Sequence, residues 1–371
     1  MMANWKTCII SDLGTVVGGA TPSTKKKENY DGGTIAWITP KDLAGFSGRF
    51  ISCGERNITE QGLKSCSTQL MPAHTILFSS RAPIGYIAIA DQEVCTNQGF
   101  KSVIPNNDTD YMFLYYLLKY NKDKIENLGS GTTFKEVSGS TMRGIEVAVP
   151  NTIEEQRKIA SILSALDDKI EENNKVNENL QEQAQAIYSD IFISNANPAW
   201  KTGYLSDLII VRYGKDHKKL ADGAYPVYGS GGIMRYVERP LYNKESVLIP
   251  RKGSLNNVMY VNEPFWSVDT MFFTEMKQPN IAKFIFHFVK SKDLASLNSG
   301  SAVPSMTTDI LNSMELLIPD ANAFAKFESI VAPIYLTIQQ NIQESNKLAK
   351  LRDLLLPKLM SGEIDVSNLD L

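Results

Sequence analysis

The chain has 371 residues, of which 43% are hydrophobic and 21% charged, and its formal net charge is −3. This length predicts two or three domains, and the composition is typical of a globular soluble protein. No window approaches 18 consecutive apolar residues, and the N-terminus lacks an apolar segment of signal-peptide length, so we expect a cytoplasmic protein. No pair of cysteines has CxxC spacing, which favours free thiols over a metal site or disulfides for Cys8, Cys53, Cys66 and Cys95.

Residues 1–150 have the pattern of a mixed α+β domain. Short β-like runs at 76–78, 85–90 and 101–104 are separated by Gly, Pro, Asn and Asp. The run YMFLYYLLKY at 111–120 predicts a buried helix. This region is mildly basic, as is 194–319, whereas the intervening and final segments are acidic.

A long helix is predicted after Pro150, over a first spacer at 151–196. Asn151 or Thr152 is the expected N-cap, followed by Glu154 and Glu155 in the first turn. Apolar or Asn residues then recur at alternating intervals of four and three, which is a heptad seam. The seam consists of Leu166, Ile170, Asn173, Asn177, Leu180, Ala184, Ile187 and Ile191.

The second half of the chain repeats the first. Residues 128–150 and 297–319 are alike at an offset of 169, and both halves begin with Trp-Lys, at Trp5 and Trp200. A second globular region at 197–319 therefore leads into a second spacer and tail at 320–371. Its expected seam is Ile334, Ile338, Asn341, Ser345, Leu348, Arg352, Leu355 and Leu359.

Two such helices in one chain can pair antiparallel, each about 60 Å long at about 1.5 Å per residue. Asn in a seam costs stability but fixes register. Lys347, Lys350 and Arg352 are expected to face the acidic stretch at 167–182. The first globular region is longer than the second, and we expect its extra residues between 21 and 75, where the two copies are least alike.

Four segments, in order, resemble the specificity (S) subunits of type I restriction-modification systems. They are RAPIGYIAI at 81–89, CTNQGFKSVIP at 95–105, EEQRKIASILSALDDKIE at 154–171 and LRDLLLPKLMSGEI at 351–364. The resemblance covers nearly the whole chain and includes the duplication. It implies an α+β fold with two target recognition domains separated by a long antiparallel two-helix coiled coil and related by a pseudo-two-fold internal duplication.

The resemblance also implies a function without catalysis. Each recognition domain would bind one half of a split sequence in double-stranded DNA, and the spacers would set the gap between the halves. The partners would be two methyltransferase (M) subunits and possibly restriction (R) subunits. S-adenosylmethionine, Mg²⁺ and ATP would belong to these partners, so this chain would need no cofactor and no metal.

Base reading requires amides, hydroxyls and cations at groove edges, and phosphate binding requires cations or backbone N–H groups. The candidates in the first region are Thr21, Ser23, Lys25, Lys26, Lys27, Lys41, Ser80, Arg81, Asn97, Gln98, Lys101, Thr132, Thr133 and Lys135. Those in the second are Lys215, His217, Lys218, Lys219, Tyr228, Ser230, Arg235, Arg251, Lys252, Ser254, Asn256 and Asn257. Arg81 and Arg251 each follow an apolar strand at equivalent points, although any single Lys can also be a solvated side chain and Asn97-Gln98-Gly99 can be a structural turn.

Two alternatives stay open. A coiled-coil scaffold that binds proteins and no DNA would have the same helices. An enzyme with an unrecognised site is disfavoured, because the sequence has neither a phosphate-binding G-x-x-x-x-G-K-[ST] loop nor the Asn/Asp-Pro-Pro-Tyr/Phe motif of amino-methyltransferases. Its three histidines, His74, His217 and His287, have no metal-like or triad-like neighbours in sequence.

Overall fold

The computed structural model describes residues 5–131, 135–297, 305–367 and 369. It divides into two compact units, one formed by 1–174 with 342–371 and the other by 175–341. Each unit therefore contains one globular region and part of each long helix. The fold is α+β with an antiparallel helix pair, as the sequence predicts.

The globular part of the first unit contains short strands and helices. Its strands are β1 (Trp5–Ile9), β2 (Gly14–Gly18), β3 (Ile35–Ile38), β4 (Phe50–Ile51), β5 (Arg56–Ile58), β6 (Ile76–Ser80), β7 (Ile84–Ala90), β8 (Cys95–Thr96), β9 (Lys101–Pro105) and β10 (Glu146–Pro150). Its helices are α1 (Ile10–Leu13), α2 (Glu60–Lys64), α3 (Tyr111–Tyr120), α4 (Lys122–Asn127) and α5 (Gly139–Arg143), with a 3-10 turn at Lys27–Asn29.

The second unit repeats this order. Its strands are β11 (Lys201–Tyr204), β12 (Ile209–Tyr213), β13 (Asp222–Gly229), β14 (Gly232–Val237), β15 (Ser246–Pro250), β16 (Met259–Val261), β17 (Trp266–Ser267), β18 (Met271–Met276) and β19 (Glu315–Ile318). The long helices are α6 (Ile153–Ser189), continued by a π-helical turn at Asp190–Ser194, and α10 (Ala321–Met360). The remaining helices are α7 (Leu205–Leu208), α8 (Ala282–Lys290) and α9 (Thr308–Asn312).

Equivalent strands form equivalent sheets in the two units. The first unit has sheets ordered β2-β9-β6-β7-β4 and β5-β3-β8, and the second has β12-β18-β15-β16 and β14-β13-β17. The first and last strands of each globular part pair antiparallel, β1 with β10 and β11 with β19. This pairing closes the domain directly before its long helix begins.

The extra length of the first globular part lies where the sequence predicts it. Strand β2 starts at Gly14 and β12 at Ile209, whereas β6 starts at Ile76 and β15 at Ser246. The offset between the copies therefore changes between β2 and β6. The additional residues include the 3-10 turn, β4 and α2, which have no counterpart between β12 and β15, so the two domains share a core and differ in their loops.

The apolar runs form the core, as their sequence indicates. Helices α3 and α8 pack most of their side chains inward, and Phe113 and Phe284 are almost fully buried. Helix α6 starts at the expected cap, because the Glu155 N–H donates to Thr152 Oγ1 at 3.2 Å. The four cysteines are free thiols, and burial raises the pKa of Cys95 to about 12.

At the centre of the predicted heptad seam, polar contacts define the register of the helix pair. In the first unit Asn173 Nδ2 lies 2.8 Å from Glu344 Oε2 and 3.2 Å from Ser345 Oγ. In the second, Asn341 Nδ2 donates to Asn177 Oδ1 at 2.8 Å. In the first unit Asp167 meets Arg352 and Asn173 meets Ser345, and in the second Asn177 meets Asn341 and Tyr188 meets Phe327, so the two helices run antiparallel in both units.

A buried polar network in the first unit joins the recognition domain to both helices. The hydroxyl of Tyr116 on α3 donates to Asp167 Oδ2 at 2.7 Å, and Arg352 Nη1 lies 2.5 Å from Asp167 Oδ1. Arg352 is thus the seam cation that pairs with the acidic stretch. Arg49, only 5% exposed, binds Asp168 and Glu171 on α6 as well.

The second unit has a network of different chemistry at the corresponding place. His287 on α8 lies 2.8 Å from Gln185 Oε1 through Nδ1 and 2.9 Å from the Tyr335 hydroxyl through Nε2. Lys283, one turn earlier, pairs with Glu245 and Glu328 at 2.9 and 2.6 Å. Each recognition domain is therefore fastened to the helices by its own set of polar partners.

Candidate nucleic-acid interface

In the first unit, four loops are tied together by hydrogen bonds. Thr21 Oγ1 bonds to Gln98 Oε1. The Ser80 N–H donates to the Gly99 carbonyl at 2.7 Å, and the Val137 N–H donates to the Ser80 carbonyl at 3.0 Å. The loops at 19–21, 80–82, 97–100 and 135–137 therefore form one continuous surface, which we call the first face.

The centre of the first face carries two cations and one carboxylate. Arg81 Nη1 and Lys101 Nζ each lie 3.5 Å from Glu136, and the side chains are 35%, 16% and 39% exposed respectively. These long, partly solvated contacts contribute little to stability. The guanidinium of Arg81 can consequently exchange Glu136 for a phosphate or a base edge at small cost.

The loop that precedes β3 is anchored through its backbone. Asn29 Nδ2 donates to the Ser23 carbonyl at 3.0 Å, and the Tyr30 hydroxyl donates to the Pro22 carbonyl at 2.7 Å. Because the carbonyls hold the loop, its side chains remain exposed at Thr21, Ser23, Lys25, Lys26 and Lys27. This is a suitable arrangement for phosphate contacts, which need cations on a fixed support.

Three candidates of the first region have other partners. Ser80 is fully buried and its hydroxyl lies 3.2 Å from the Gly99 carbonyl, so the prediction that it contacts DNA is corrected by its burial. Asn97 Oδ1 accepts the Gly99 N–H at 2.8 Å, which makes it part of a turn. Lys41 is paired with Glu55 at 2.6 Å on the surface. Lys135 is exposed, whereas Thr132 and Thr133 lie outside the described residues.

The second unit forms its face from three equivalent loops and from the tip of the hairpin of β13 and β14. The Lys215 N–H donates to the Ser267 carbonyl at 2.8 Å, and the Trp266 indole donates to the Lys215 carbonyl at 2.9 Å. A Cβ on Gly214 would lie 2.0 Å from the Val268 carbonyl oxygen, so only glycine fits where the backbone of this loop passes the backbone of Val268. We call the surface formed by the loops at 213–219, 228–236, 251–257 and 267–270 the second face.

The first face has the same construction, although the sequence does not reveal it. A Cβ on Gly19 would lie 2.2 Å from the Thr96 and Asn97 carbonyl oxygens, and the Trp37 indole donates to the Ala20 carbonyl at 3.1 Å. Trp37 lies on β3, whereas Trp266 lies on β17, so indoles from different strands hold equivalent loops. The comparison of the two halves of the sequence does not identify Trp37 and Trp266, because these residues do not occupy equivalent positions in the two copies.

Arg251 occupies the position in the second face that Arg81 occupies in the first. It directly follows β15, as Arg81 directly follows β6. Its guanidinium carbon lies 5.3 Å from the centre of the Tyr213 ring, and Nη1 donates to the Asp269 carbonyl at 3.4 Å. The ring and the carbonyl orient the guanidinium without neutralising it, so its charge remains available.

The other candidates of the second region divide into engaged and exposed groups. Arg235 pairs with Asp222 at 3.0 Å, the Tyr228 hydroxyl donates to Glu263 at 3.1 Å, and Asn256 Nδ2 donates to Asp293 at 3.0 Å. Asn257 Nδ2 donates to the Ser230 carbonyl at 2.8 Å and joins two loops of the face. His217 and Ser230 are half-buried, and the exposed remainder is Lys215, Lys218, Lys219, Lys252 and Ser254.

Comparison with known proteins identifies the family. A family model described as the type I restriction modification DNA specificity domain matches residues 2–182 and 197–349. The chain belongs to this family. The two matched ranges are the two copies seen in the sequence, and each contains one face. As a specificity subunit the chain is not an enzyme, because catalysis belongs to other subunits of these systems.

Individual relatives of this specificity subunit agree. The type I restriction enzyme MjaIX specificity subunit of Methanocaldococcus jannaschii is 33% identical over 99% of this chain and 95% of its own length. The EcoR124I/EcoR124II specificity subunit of Escherichia coli is 29% identical over 52% of this chain and 49% of its own. The crystal structure of an S subunit from M. genitalium shares the fold, with a TM-score of 0.60, 21% identity and 96% coverage of both chains.

The described residues of the specificity subunit also bear on membrane insertion and metal binding. Among the described residues, no helix is both long and apolar enough to cross a membrane. The same residues contain no group of three or more His, Cys, Asp or Glu side chains placed to hold a metal ion.

Proposed function

We propose that the two faces bind double-stranded DNA, each reading one half of a bipartite target. The observation that carries this proposal is the repeated construction of the faces. In each face, a glycine allows one loop to pass close to the backbone of another, and a tryptophan indole donates a hydrogen bond to the carbonyl of the residue after that glycine. Each face also presents an arginine directly after a buried strand. Different loops on a common support suit two readers of different sequences.

The long helices would set the spacing between the half-sites and dock the methyltransferase subunits. Polar pairs between Asn173 and Ser345 and between Asn177 and Asn341 favour one register over slipped ones. Leu351 and Leu354 on α10 are 43% and 60% exposed, which is unfavourable unless a partner covers them. Two M subunits are the proposed partners, and R subunits can join them.

The chemistry would take place entirely in those partners. S-adenosylmethionine would be bound by the M subunits, and Mg²⁺ and ATP by the R subunits, so this chain would need no cofactor of its own. Its contribution would be to hold the duplex so that an adenine can be extruded into the methyltransferase site.

Long-read methylome sequencing tests this function. The full chain would be expressed with its neighbouring M subunit in a host free of adenine methylation, and M subunit alone would be the control. We expect one split adenine-methylated motif that requires both proteins. Soluble, associated proteins that yield no motif would contradict the proposal and favour a protein-binding scaffold, whose binding would also be insensitive to salt, unlike phosphate contacts.

A further inference from the structure

The hairpin of β13 and β14 contains a β-bulge at its tip. Val227 pairs with Arg235 and Tyr228 with Ile233, so Met234 is an extra residue opposite the peptide that joins Val227 and Tyr228. Gly229 pairs with Gly232, whose φ is +110°. A bulge re-aims the side chain of its extra residue, and such features recur beside functional sites.

The bulge leaves the side chain of Met234 exposed. Met234 is 61% accessible, and Tyr236, two residues further on, is 47% accessible. A Cβ on Gly229 would lie 2.5 Å from Met234 Sδ and 3.8 Å from Val268 Cγ2. The thioether of Met234 therefore lies over the backbone of Gly229, which has no side chain, in the part of the hairpin that is near the loop at 267–270. With Ile233, which is 49% accessible, the hairpin exposes three large apolar side chains within four residues, and such a cluster suggests a ligand that covers it.

A loop of the second face that carries two cations is joined to this apolar tip. The tip is joined to the loop at 251–257, because Asn257 Nδ2 donates to the Ser230 carbonyl at 2.8 Å and a Cβ on Gly253 would lie 2.6 Å from Ser230 Oγ. That loop carries Arg251 and Lys252. An occupant must therefore combine negative charge with an apolar group at a short distance from it. Double-stranded DNA has this combination, with phosphates at the rim of the major groove and thymine methyl groups within it.

The shape of the element also suits DNA. The major groove admits a two-stranded β-ribbon, and thymine is the base that presents a methyl group there. The narrow tip, with Gly231 and Gly232 side by side and no atom within 4 Å of a Cβ at either position, can approach base edges closely.

We propose that Met234 is a specificity-determining residue of the second recognition domain and that it contacts the 5-methyl group of a thymine in the major groove. This inference rests on the proposed function and adds to it a residue, a groove and a base. It also predicts an asymmetry between the two readers. The antiparallel partner of β3 in the first unit is β5, whose residues are Arg56–Ile58, and not a bulged ribbon with a methionine.

The test uses the complex of the full chain with its M subunit. Once the methylome has given the motif, oligonucleotides with deoxyuridine in place of each thymine would be titrated by fluorescence anisotropy. Removal of a buried methyl group lowers affinity by about four-fold. We expect this loss for wild type at one thymine, in the half-site that responds to Arg251→Ala.

The variants Met234→Ala and Met234→Leu complete the experiment. Met234→Ala is expected to bind the thymine oligonucleotide about ten-fold more weakly and to be indifferent to the deoxyuridine, whereas Met234→Leu keeps the discrimination. Ile193→Ala, at an equally exposed position (61%) after α6, is the matched control and should behave as wild type.

Two outcomes would overturn the inference. One is a wild type that is indifferent to deoxyuridine at every thymine, and the other is a Met234→Ala variant that still loses affinity on the same substitution as wild type does. Either would leave the bipartite motif intact, whereas failure of the proposed function would appear earlier, as the lack of any motif for wild type.

Discussion

Replacement of Asp167 by alanine should strongly destabilise the first unit. Asp167 is 4% exposed and accepts hydrogen bonds from both Tyr116 and Arg352. Burial and the adjacent Asp167 carboxylate raise the pKa of Tyr116 well above its usual range, so the phenol stays a donor at all working pH values. The variant therefore leaves two buried donors without their acceptor.

The magnitude follows from these two losses. An unsatisfied buried hydroxyl costs about 1–3 kcal/mol. Breaking a buried ion pair by removing one partner costs about 3–5 kcal/mol. The second figure is reduced here because Arg352 keeps a contact with Asp353, which is 62% exposed. We expect about 4 kcal/mol for Asp167→Ala, about 1 kcal/mol for Tyr116→Phe, and less than about 1 kcal/mol for the exposed control Asp353→Ala.

Urea unfolding combined with hydrogen exchange would measure these values. The chain has two units, so a single global transition is not assumed. Exchange in peptides from α3 reports the first unit, and exchange in peptides from α8 is an internal control in the second. Equal loss of protection in both, or a cost for Asp167→Ala no larger than that for Asp353→Ala, would refute the role assigned to this network.

Three further predictions concern the supports of the two domains. Burial, which is the larger cause, and the nearby charge of Lys290 lower the pKa of His287 to about 4 in the folded chain. In the unfolded chain the imidazole has a pKa of about 6.5 and therefore binds a proton at a higher pH than in the folded chain. Up to about 3 kcal/mol of stability is consequently lost as the pH falls from 6.5 to 4. Comparing urea midpoints of wild type and His287→Gln over this range should show a weaker acid dependence in the variant, and parallel curves would contradict it. Gly214→Ala should lower the melting temperature of the second unit, because its Cβ meets the Val268 carbonyl, whereas Gly231→Ala, which meets no atom within 4 Å, should not. Arg49→Ala should cost about 3 kcal/mol in chemical unfolding, because it removes the buried guanidinium that pairs with Asp168 and Glu171, and a change below about 1 kcal/mol would show that water replaces these pairs.

Periodic features of the fold could be predicted from the sequence. Helix α3 lies at the predicted residues, because an unbroken apolar run bounded by polar caps has few alternatives. The seam is correct at its centre, where Asn173, Asn177 and Ala184 are buried. Towards the ends, the deepest residues are Asp167 and Tyr188, each one position after a predicted seam residue.

The shift at the ends has a physical cause. A search for heptads selects apolar residues. Asp167 is buried because Tyr116 on α3 and Arg352 on α10 bind it, and the sequence of α6 alone does not reveal those partners. The same limit applies to Arg49, which lies more than a hundred residues from Glu171 in sequence. Contacts of this kind depend on the tertiary fold, which brings the partners together.

Candidate site residues could be predicted by position better than by role. Arg81 and Arg251 do follow equivalent strands, and the lysines at 25–27 and 218–219 are exposed. In contrast, Ser80 and Arg235 have the residue types of DNA contacts, but one is buried and the other is paired with Asp222. Met234 was missed because methionine is normally a core residue, and only the bulge register shows that it is turned outward.

The central claim is that the two faces read DNA independently, and half-site-resolved methylome sequencing tests it most directly. The variants Arg81→Ala and Arg251→Ala would each be expressed with the M subunit, and methylation would be scored separately for every base of the two half-sites. We expect each variant to lose methylation at one half-site or to relax the sequence of that half-site, and we expect the two variants to affect different halves. Equal effects of both variants on both halves, or no effect of either, would contradict it.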